Sequence, residues 1–209
     1  MINILIADDH AIVRQGLRQI VAADRQMTVL GEARSGAELL NLIKDSEVDV
    51  VILDISMPGR NGLETLKDIK RQYPDLPVIV LSMYPEDQYA VRVFRNGASG
   101  YMTKESAPEE LVKAIRKAHL GGKYISPRVA ELLAEFVETK TLEAPHKSLS
   151  DREFEVFNLL ASGKTVGQIA EDLSLSVKTI STYRARILEK MAMTTNAEMT
   201  RYALDFKLL

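Results

Sequence analysis

Short runs of β-branched and other apolar residues alternate with amphipathic stretches over the first 120 or so residues: INILIA, MTVLGEA, VDVVILD, PVIVLSM and SGYMTK. The stretches between them carry apolar residues at helical spacing. The first helix is predicted over about 10–23, with Ile12, Val13, Leu17, Ile20 and Val21 on one stripe. A second follows Ser35 and buries Leu39, Leu40 and Ile43, and a third starts after Asn61 with Leu63, Leu66 and Ile69. The fourth runs from about Glu86 through Tyr89, Val93 and Phe94 to Gly97; the fifth opens on Ser106 and Pro108 and closes at Gly121 and Gly122. This order predicts an α/β domain, a five-stranded doubly wound parallel sheet with helices on both faces.

Beyond it, Pro127 to Glu138 reads as another helix, and Thr139 to Lys147 has neither strand nor helix character and is taken as a linker. No strand pattern returns. Four compact helical segments are expected at about 151–162, 166–173, 177–191 and 196–206, a small all-α domain. The expected boundaries are 1–122 for the α/β domain, 123–147 for the connecting helix and linker, and 148–209 for the helical domain.

Composition narrows the classes. A formal charge of −2 excludes coating of nucleic acid or anionic lipid by bulk charge, so any basic surface is local. The absence of cysteine excludes disulfides and thiolate metal sites. INILIA stops at Asp8 and Asp9, too soon for a signal peptide, and no apolar run approaches the roughly 20 residues of a membrane span. A cytoplasmic protein with no membrane partner is expected.

In a parallel sheet, polar residues at the carboxyl ends of strands share one rim. Asp8 and Asp9 close the first strand, Asp54 the third and Ser82 the fourth, and Lys104 follows the fifth. With strand order 2-1-3-4-5 the three carboxylates meet at the switch point. Their repulsion calls for a hard divalent cation with oxygen ligands, and Mg²⁺ suits one or two carboxylates plus water and a phosphate oxygen. Lys104 neutralises the remaining charge. A carboxylate can take up a phosphoryl group as a nucleophile. Asp54, leading a loop with a Pro58-Gly59 turn, is best placed for that, with Asp8 and Asp9 as metal ligands and Ser82 as a donor to the phosphoryl oxygens.

The DD pair, the DISMPGRNG loop, Ser82 after VIVL and GYMTKES around Lys104 resemble the flavodoxin-like receiver domain of bacterial two-component response regulators over residues 1 to about 122. The resemblance implies that Asp54 accepts phosphate from a sensor histidine kinase. It further implies that Asp9, Asp54 and the backbone carbonyl of Ser56 hold Mg²⁺, that Asp8 helps through water, and that Ser82 and Tyr101 form a switch pair. Phosphorylation is then expected to draw Ser82 inward and let Tyr101 follow. Glu105 stands where many receivers have proline after the lysine, which puts their cis peptide in doubt here.

In the tail, Thr165 to Met191 reads as two helices about a tight Leu173-Ser174-Leu175-Ser176 turn, a helix-turn-helix. Val177, Ile180, Ile187, Leu188 and Met191 gather on one face of the second helix; Lys178, Ser181, Thr182, Ala185, Arg186 and Glu189 occupy the other. Small side chains there let a helix enter a major groove, with Lys178, Thr179, Arg186 and Lys190 beside it for phosphates or guanine edges. Arg184 falls near the apolar stripe and is expected to reach a backbone phosphate from the rim. Residues 176–191 hold four Lys or Arg against one Glu, so positive charge is concentrated where docking to double-stranded DNA needs it. This tail, with SDREFEVFNLLASG ahead of it, resembles the LuxR-type DNA-binding domain, and the whole chain a NarL/FixJ-type response regulator near the UvrY/GacA branch. In that family Ser181, Thr182 and Ala185 correspond to base-facing positions. Met199, Tyr202, Ala203 and Phe206 form an apolar stripe on the last helix that serves either the core or a homodimer seam in the phosphorylated state.

Two other features point elsewhere. Ser162-Gly163-Lys164-Thr165 imitates a phosphate-binding loop, but its leading glycine position is Asn158 and a helix precedes it. The three histidines lack metal-ligand spacing and are read as caps or surface groups. The rival class is a haloacid-dehalogenase-type phosphatase, which also uses a strand-end aspartate with Mg²⁺. Its second aspartate, two residues past the nucleophile, is Ser56 here. Without that acid and base, turnover is expected to be poor and the chain is expected not to be an enzyme.

Overall fold

The computed structural model describes residues 1–59, 61–138, 144–206 and 208–209. Arg60 and residues 139–143 of the expected linker lie outside the described residues. The chain divides into two units, Met1–Leu132 and Leu133–Leu209.

The first unit alternates strand and helix: β1 (Ile2–Ala7), α1 (Ala11–Ala22), β2 (Met27–Ala33), α2 (Gly36–Asp45), β3 (Val50–Asp54), α3 (Gly62–Gln72), β4 (Val78–Ser82), α4 (Glu86–Arg95), β5 (Gly100–Thr103) and α5 (Ala107–His119). The strands are parallel in the order β2-β1-β3-β4-β5, the expected one. β3 and β4 are buried at every position, as continuous apolar runs covered on both faces require. Local chemistry sets the helix ends. Ser35 and Asn61 accept from the amides of Glu38 and Glu64, as N-caps do. Gly97 and Gly121, at φ +89° and +80°, end α4 and α5 in the left-handed region.

Ile12 departs from the expected stripe, being 76% exposed. The buried face of α1 is centred on Arg14, Leu17 and Val21, and at about 100° per residue Ile12 lies well off it. After α5, Tyr124 pairs with Gly100 on the open edge of β5, and α6 (Pro127–Glu138) begins.

The second unit contains α7 (Asp151–Ala161), α8 (Val166–Asp172), α9 (Val177–Lys190) and α10 (Asn196–Asp205). The end of the expected linker, Pro145 to Lys147, forms a 3-10 turn together with Ser148. Capping boxes at Ser150 with Glu153, Thr165 with Gln168 and Thr195 with Glu198 start three of the helices. Ile169, Ile180, Ile187, Met199 and Ala203 are buried, so the α10 stripe contributes two core residues. Tyr202 of that stripe stacks on Phe206 and hydrogen-bonds to His146 at 2.8 Å.

Ala192 follows α9 at φ +53°, where the amide of Met193 reaches back to the carbonyl of Leu188. A side chain in the left-handed region costs about 1–2 kcal/mol, part of which glycine gives back through its freer unfolded chain. Ala192→Gly is therefore expected to stabilise the helical unit by about 1 kcal/mol and raise its melting midpoint by roughly 5 °C, as calorimetry would read.

Candidate functional site: an acidic rim and a basic helix

The carboxyl ends of β1 and β3 are neighbours, and this brings Asp8, Asp9 and Asp54 together. Carboxylate oxygens of all three lie with a His10 nitrogen within 4.8 Å of one another. Asp8 and Asp54 are 1% exposed. Lys104, just past β5, puts its Nζ 2.9 Å from Asp54 Oδ2 in a hydrogen bond and 2.7 Å from Asp8 Oδ2 as an ion pair. Asp54 Oδ1 is buried without a hydrogen-bond partner among the described residues, while Asp8 Oδ2 and Asp9 Oδ1 are met by the Lys104 ammonium at 2.7 Å and by His10 Nδ1 at 2.8 Å. Buried acceptors of this kind are costly unless a ligand supplies what the protein does not.

Burial raises the Asp54 carboxyl above its usual range; Lys104 opposes the rise and the Asp8 charge adds to it. Burial works to lower Lys104, but Asp54 and Asp8 outweigh it and hold the ammonium above its usual value. With its proton held more tightly in the folded state, Asp54 makes stability fall as pH climbs from about 3.9 through the raised value. Asp54→Asn removes that loss. At neutral pH without metal it is expected to stabilise the first unit by about 1 kcal/mol, or roughly 4 °C. Thermal unfolding of both chains at pH 4 and pH 7 checks this; a lower midpoint for the variant at pH 7 would contradict it.

Three further residues shape the site, in ways that spacing along the chain does not show. Arg14, buried inside the apolar face of α1, donates from Nη1 to the backbone carbonyl of Asp8 at 2.7 Å and from Nε to Glu32 at 3.1 Å, fixing the acidic turn from behind. Its signal was a charge in the middle of an apolar stripe. His10, read as a cap or surface group, is an N-cap by position only, with no side-chain cap bond. Its Nδ1 lies 2.8 Å from Asp9 Oδ1, and its amide donates to Asp8 Oδ1 at 2.8 Å. Gly62, the first residue of α3, donates its amide to the carbonyl of Ile55 at 2.8 Å, and a Cβ there would meet the Asp54 carbonyl oxygen at 2.0 Å.

Ser82 and Tyr101 are both fully buried. Ser82 Oγ accepts the amide of Tyr84 at 3.0 Å, and the Tyr101 hydroxyl donates to the Tyr84 carbonyl at 2.7 Å. The ring expected to follow Ser82 inward is already inside in this structure, and its burial pushes the Tyr101 phenol up. Ser56 donates its backbone amide to Asp54. No peptide bond among the described residues is cis, in keeping with Glu105 after Lys104.

In the helical unit, Lys178, Ser181, Thr182, Ala185, Arg186 and Glu189 are exposed on α9 as expected, and Thr179 is half-buried. Val177, expected on the apolar face, is 56% exposed, because it is the first residue of the helix and precedes the buried turn at Ile180. A shallow cleft of about 280 Å³ is lined by Ser176, Lys178, Thr179, Thr182, Arg186 and Tyr183, the last a residue the sequence reading did not single out. Arg184, expected at a DNA phosphate, donates from Nε to Asn196 at 2.8 Å across the turn to α10. Lys190, expected likewise, sits 2.6 Å from Glu153. Both cations have partners inside the unit that phase along one helix does not reveal.

An acidic rim at the switch point of a doubly wound sheet, followed by a helix-turn-helix with a polar outer face, defines a receiver-type unit joined to a DNA-binding unit. The family described as response regulator receiver domain matches residues 4–116, and bacterial regulatory proteins of the luxR family match residues 147–203. The response regulator GacA of Pseudomonas aeruginosa is 39% identical over 97% of this chain and 95% of its own length. The response regulator UvrY of Escherichia coli is 38% identical over 98% and 94%. RcsB of Salmonella enterica, solved bound to a promoter with a beryllofluoride phosphomimetic, shares 32% identity with a TM-score of 0.67, covering 96% of this chain and 97% of that one. The chain belongs to the NarL/FixJ-type two-component response regulators, transcription regulators rather than enzymes, and is similar to their UvrY/GacA branch. The dehalogenase alternative falls with that result. No helix among the described residues is long and apolar enough to cross a membrane.

Proposed function

We propose that Asp54 is the phosphoacceptor, charged by a sensor histidine kinase, and that its phosphorylation governs sequence-specific binding of double-stranded DNA by α9 as a homodimer in the cytoplasm. The observation that carries the reading is the buried, unpartnered Asp54 Oδ1 beside Lys104 and two further carboxylates. Asp54 displaces the donor's imidazole: an oxygen–phosphorus bond forms as the nitrogen–phosphorus bond breaks, and the leaving nitrogen keeps the electron pair. Lys104 and the Ser82 hydroxyl meet charge on the phosphoryl oxygens.

The orphaned Asp54 Oδ1 and the all-oxygen character of the buried donors fit a hard divalent ion. Asp9, Asp54 and the Ser56 carbonyl would hold Mg²⁺, with Asp8 acting through water; when bound it supplies positive charge to the phosphoryl oxygens. Residues 1–122 act as receiver, 123–147 as connection and 148–209 as DNA-binding domain.

Lys178, Thr179 and Arg186 flank the base-facing Ser181, Thr182 and Ala185; Arg184 and Lys190 are oriented by Asn196 and Glu153, each through one of its donors, with the others left for phosphate. A duplex selected from a random pool by the full chain should bind at least about tenfold more tightly after treatment with acetyl phosphate and Mg²⁺, a shift of about 1.4 kcal/mol. Asp54→Asn should show no gain. Equal gain in both chains would contradict the reading.

A further inference from the structure

The chain leaving the phosphate-binding hydroxyl is fastened twice within six residues, 82–87. At one end, Ser82 Oγ takes the Tyr84 amide and Tyr101 grips the Tyr84 carbonyl. At the other, the first turn of α4 is tied to the first turn of α6. Glu86 accepts the Ser126 hydroxyl at 2.7 Å, and Asp87 accepts from Arg128 through Nε at 3.3 Å and through a shorter Nη2 bond.

Neither Ser126, just before α6, nor Arg128 within it is idle without α4. Ser126 Oγ also accepts the Val129 amide at 3.1 Å, capping α6, and Arg128 also pairs with Glu131 at 2.9 Å. The approach to α6 is registered on the sheet. The Tyr124 amide donates to the Ser99 carbonyl at 2.7 Å and its hydroxyl to Glu110 on α5 at 3.0 Å. Gly100 leaves room for this pairing, since a Cβ there would lie 3.3 Å from the Cβ of Tyr124.

We propose that Ser126 and Arg128 are positioning residues that fasten α6 to the N-terminus of α4, so that movement of Ser82 toward a phosphoryl group on Asp54 is handed to α6. The proposal rests on Asp54 as phosphoacceptor. Only residues 83–87 join Ser82 to the Asp87 attachment, and within them Tyr84 is held at both its amide and its carbonyl, which limits the slack available when Ser82 moves. The Arg128 fork on one carboxylate holds direction as well as distance. Its partial exposure keeps it weak enough to reset, which a fully buried pair would resist.

Amide hydrogen exchange of the full chain, with Mg²⁺ before and after acetyl phosphate, tests the latch, with phosphoryl content read by intact mass on the same samples. In the wild type, exchange over residues 86–89 and 128–132 should change together by about threefold or more. In Arg128→Ala, phosphoryl uptake and the response of 86–89 should persist while that of 128–132 is lost. Asp87→Arg combined with Arg128→Asp should restore it. Ser126→Asp keeps the cap but sets a carboxylate against Glu86, and should also uncouple α6. A response over 128–132 that survives both Arg128→Ala and Ser126→Asp overturns the latch alone. Failure of the wild type to gain a phosphoryl group overturns the phosphoacceptor reading and the latch with it.

Discussion

Gly62→Ala is expected to destabilise the receiver by about 3 kcal/mol or more and, in whatever fraction still folds, to cut the phosphoryl uptake proposed for Asp54. The cause is backbone against backbone: a Cβ at Gly62 would come within 2.0 Å of the Asp54 carbonyl oxygen and 2.7 Å of the Ile55 Cα. No rotamer relieves such a clash, so either α3 or the end of β3 must shift, at a cost near the top of the range for single substitutions. Gly59 offers the internal control. It lies in the same loop, where an added Cβ would meet nothing within 4 Å, but at φ +76°, so Gly59→Ala meets only left-handed strain of about 1–2 kcal/mol. Denaturant unfolding of the two variants separates collision from strain; equal losses would refute this explanation.

With α9 in the groove as proposed, Ala185→Glu is expected to leave the helical unit folded and to lower affinity for a selected duplex by roughly a hundredfold or more. Ala185 is exposed on α9 between Thr182 and Arg186, so the new side chain has room in the free protein. In the proposed groove it would bring a negative charge against phosphates whose neutralisation dominates affinity. Arg186→Ala should act differently, weakening binding to all duplexes and lowering the salt slope by about one unit. Titrations at two salt concentrations distinguish the two. An unchanged affinity for Ala185→Glu would mean that this face of α9 does not enter DNA.

Much of the fold was legible because the signals were local. Apolar runs ended by Asp54 and Ser82 marked strands, and Ser35, Asn61, Gly97 and Gly121 marked helix ends. The acidic rim followed from topology, since the order β2-β1-β3 makes Asp8 and Asp54 neighbours. Partners across elements were not legible. Arg14 answers Glu32 and the Asp8 carbonyl, Lys190 answers Glu153, and Arg184 answers Asn196, pairings fixed by packing rather than by spacing along one helix. Ile12 lies opposite the face centred on Arg14, Leu17 and Val21, so its phase already set it apart from the stripe, whereas Val177 has the right phase but sits at the helix start, where no neighbour covers it. The inward Tyr101 was a question of rotamer, which no sequence period encodes.

Capture of one phosphoryl group by Asp54 is read directly by the intact mass of the full chain after acetyl phosphate and Mg²⁺. One stable addition of about 80 Da per chain, one phosphoryl, is expected, mapped to Asp54, dependent on Mg²⁺ and absent from Asp54→Asn. No addition, or an addition that persists in Asp54→Asn, would contradict it.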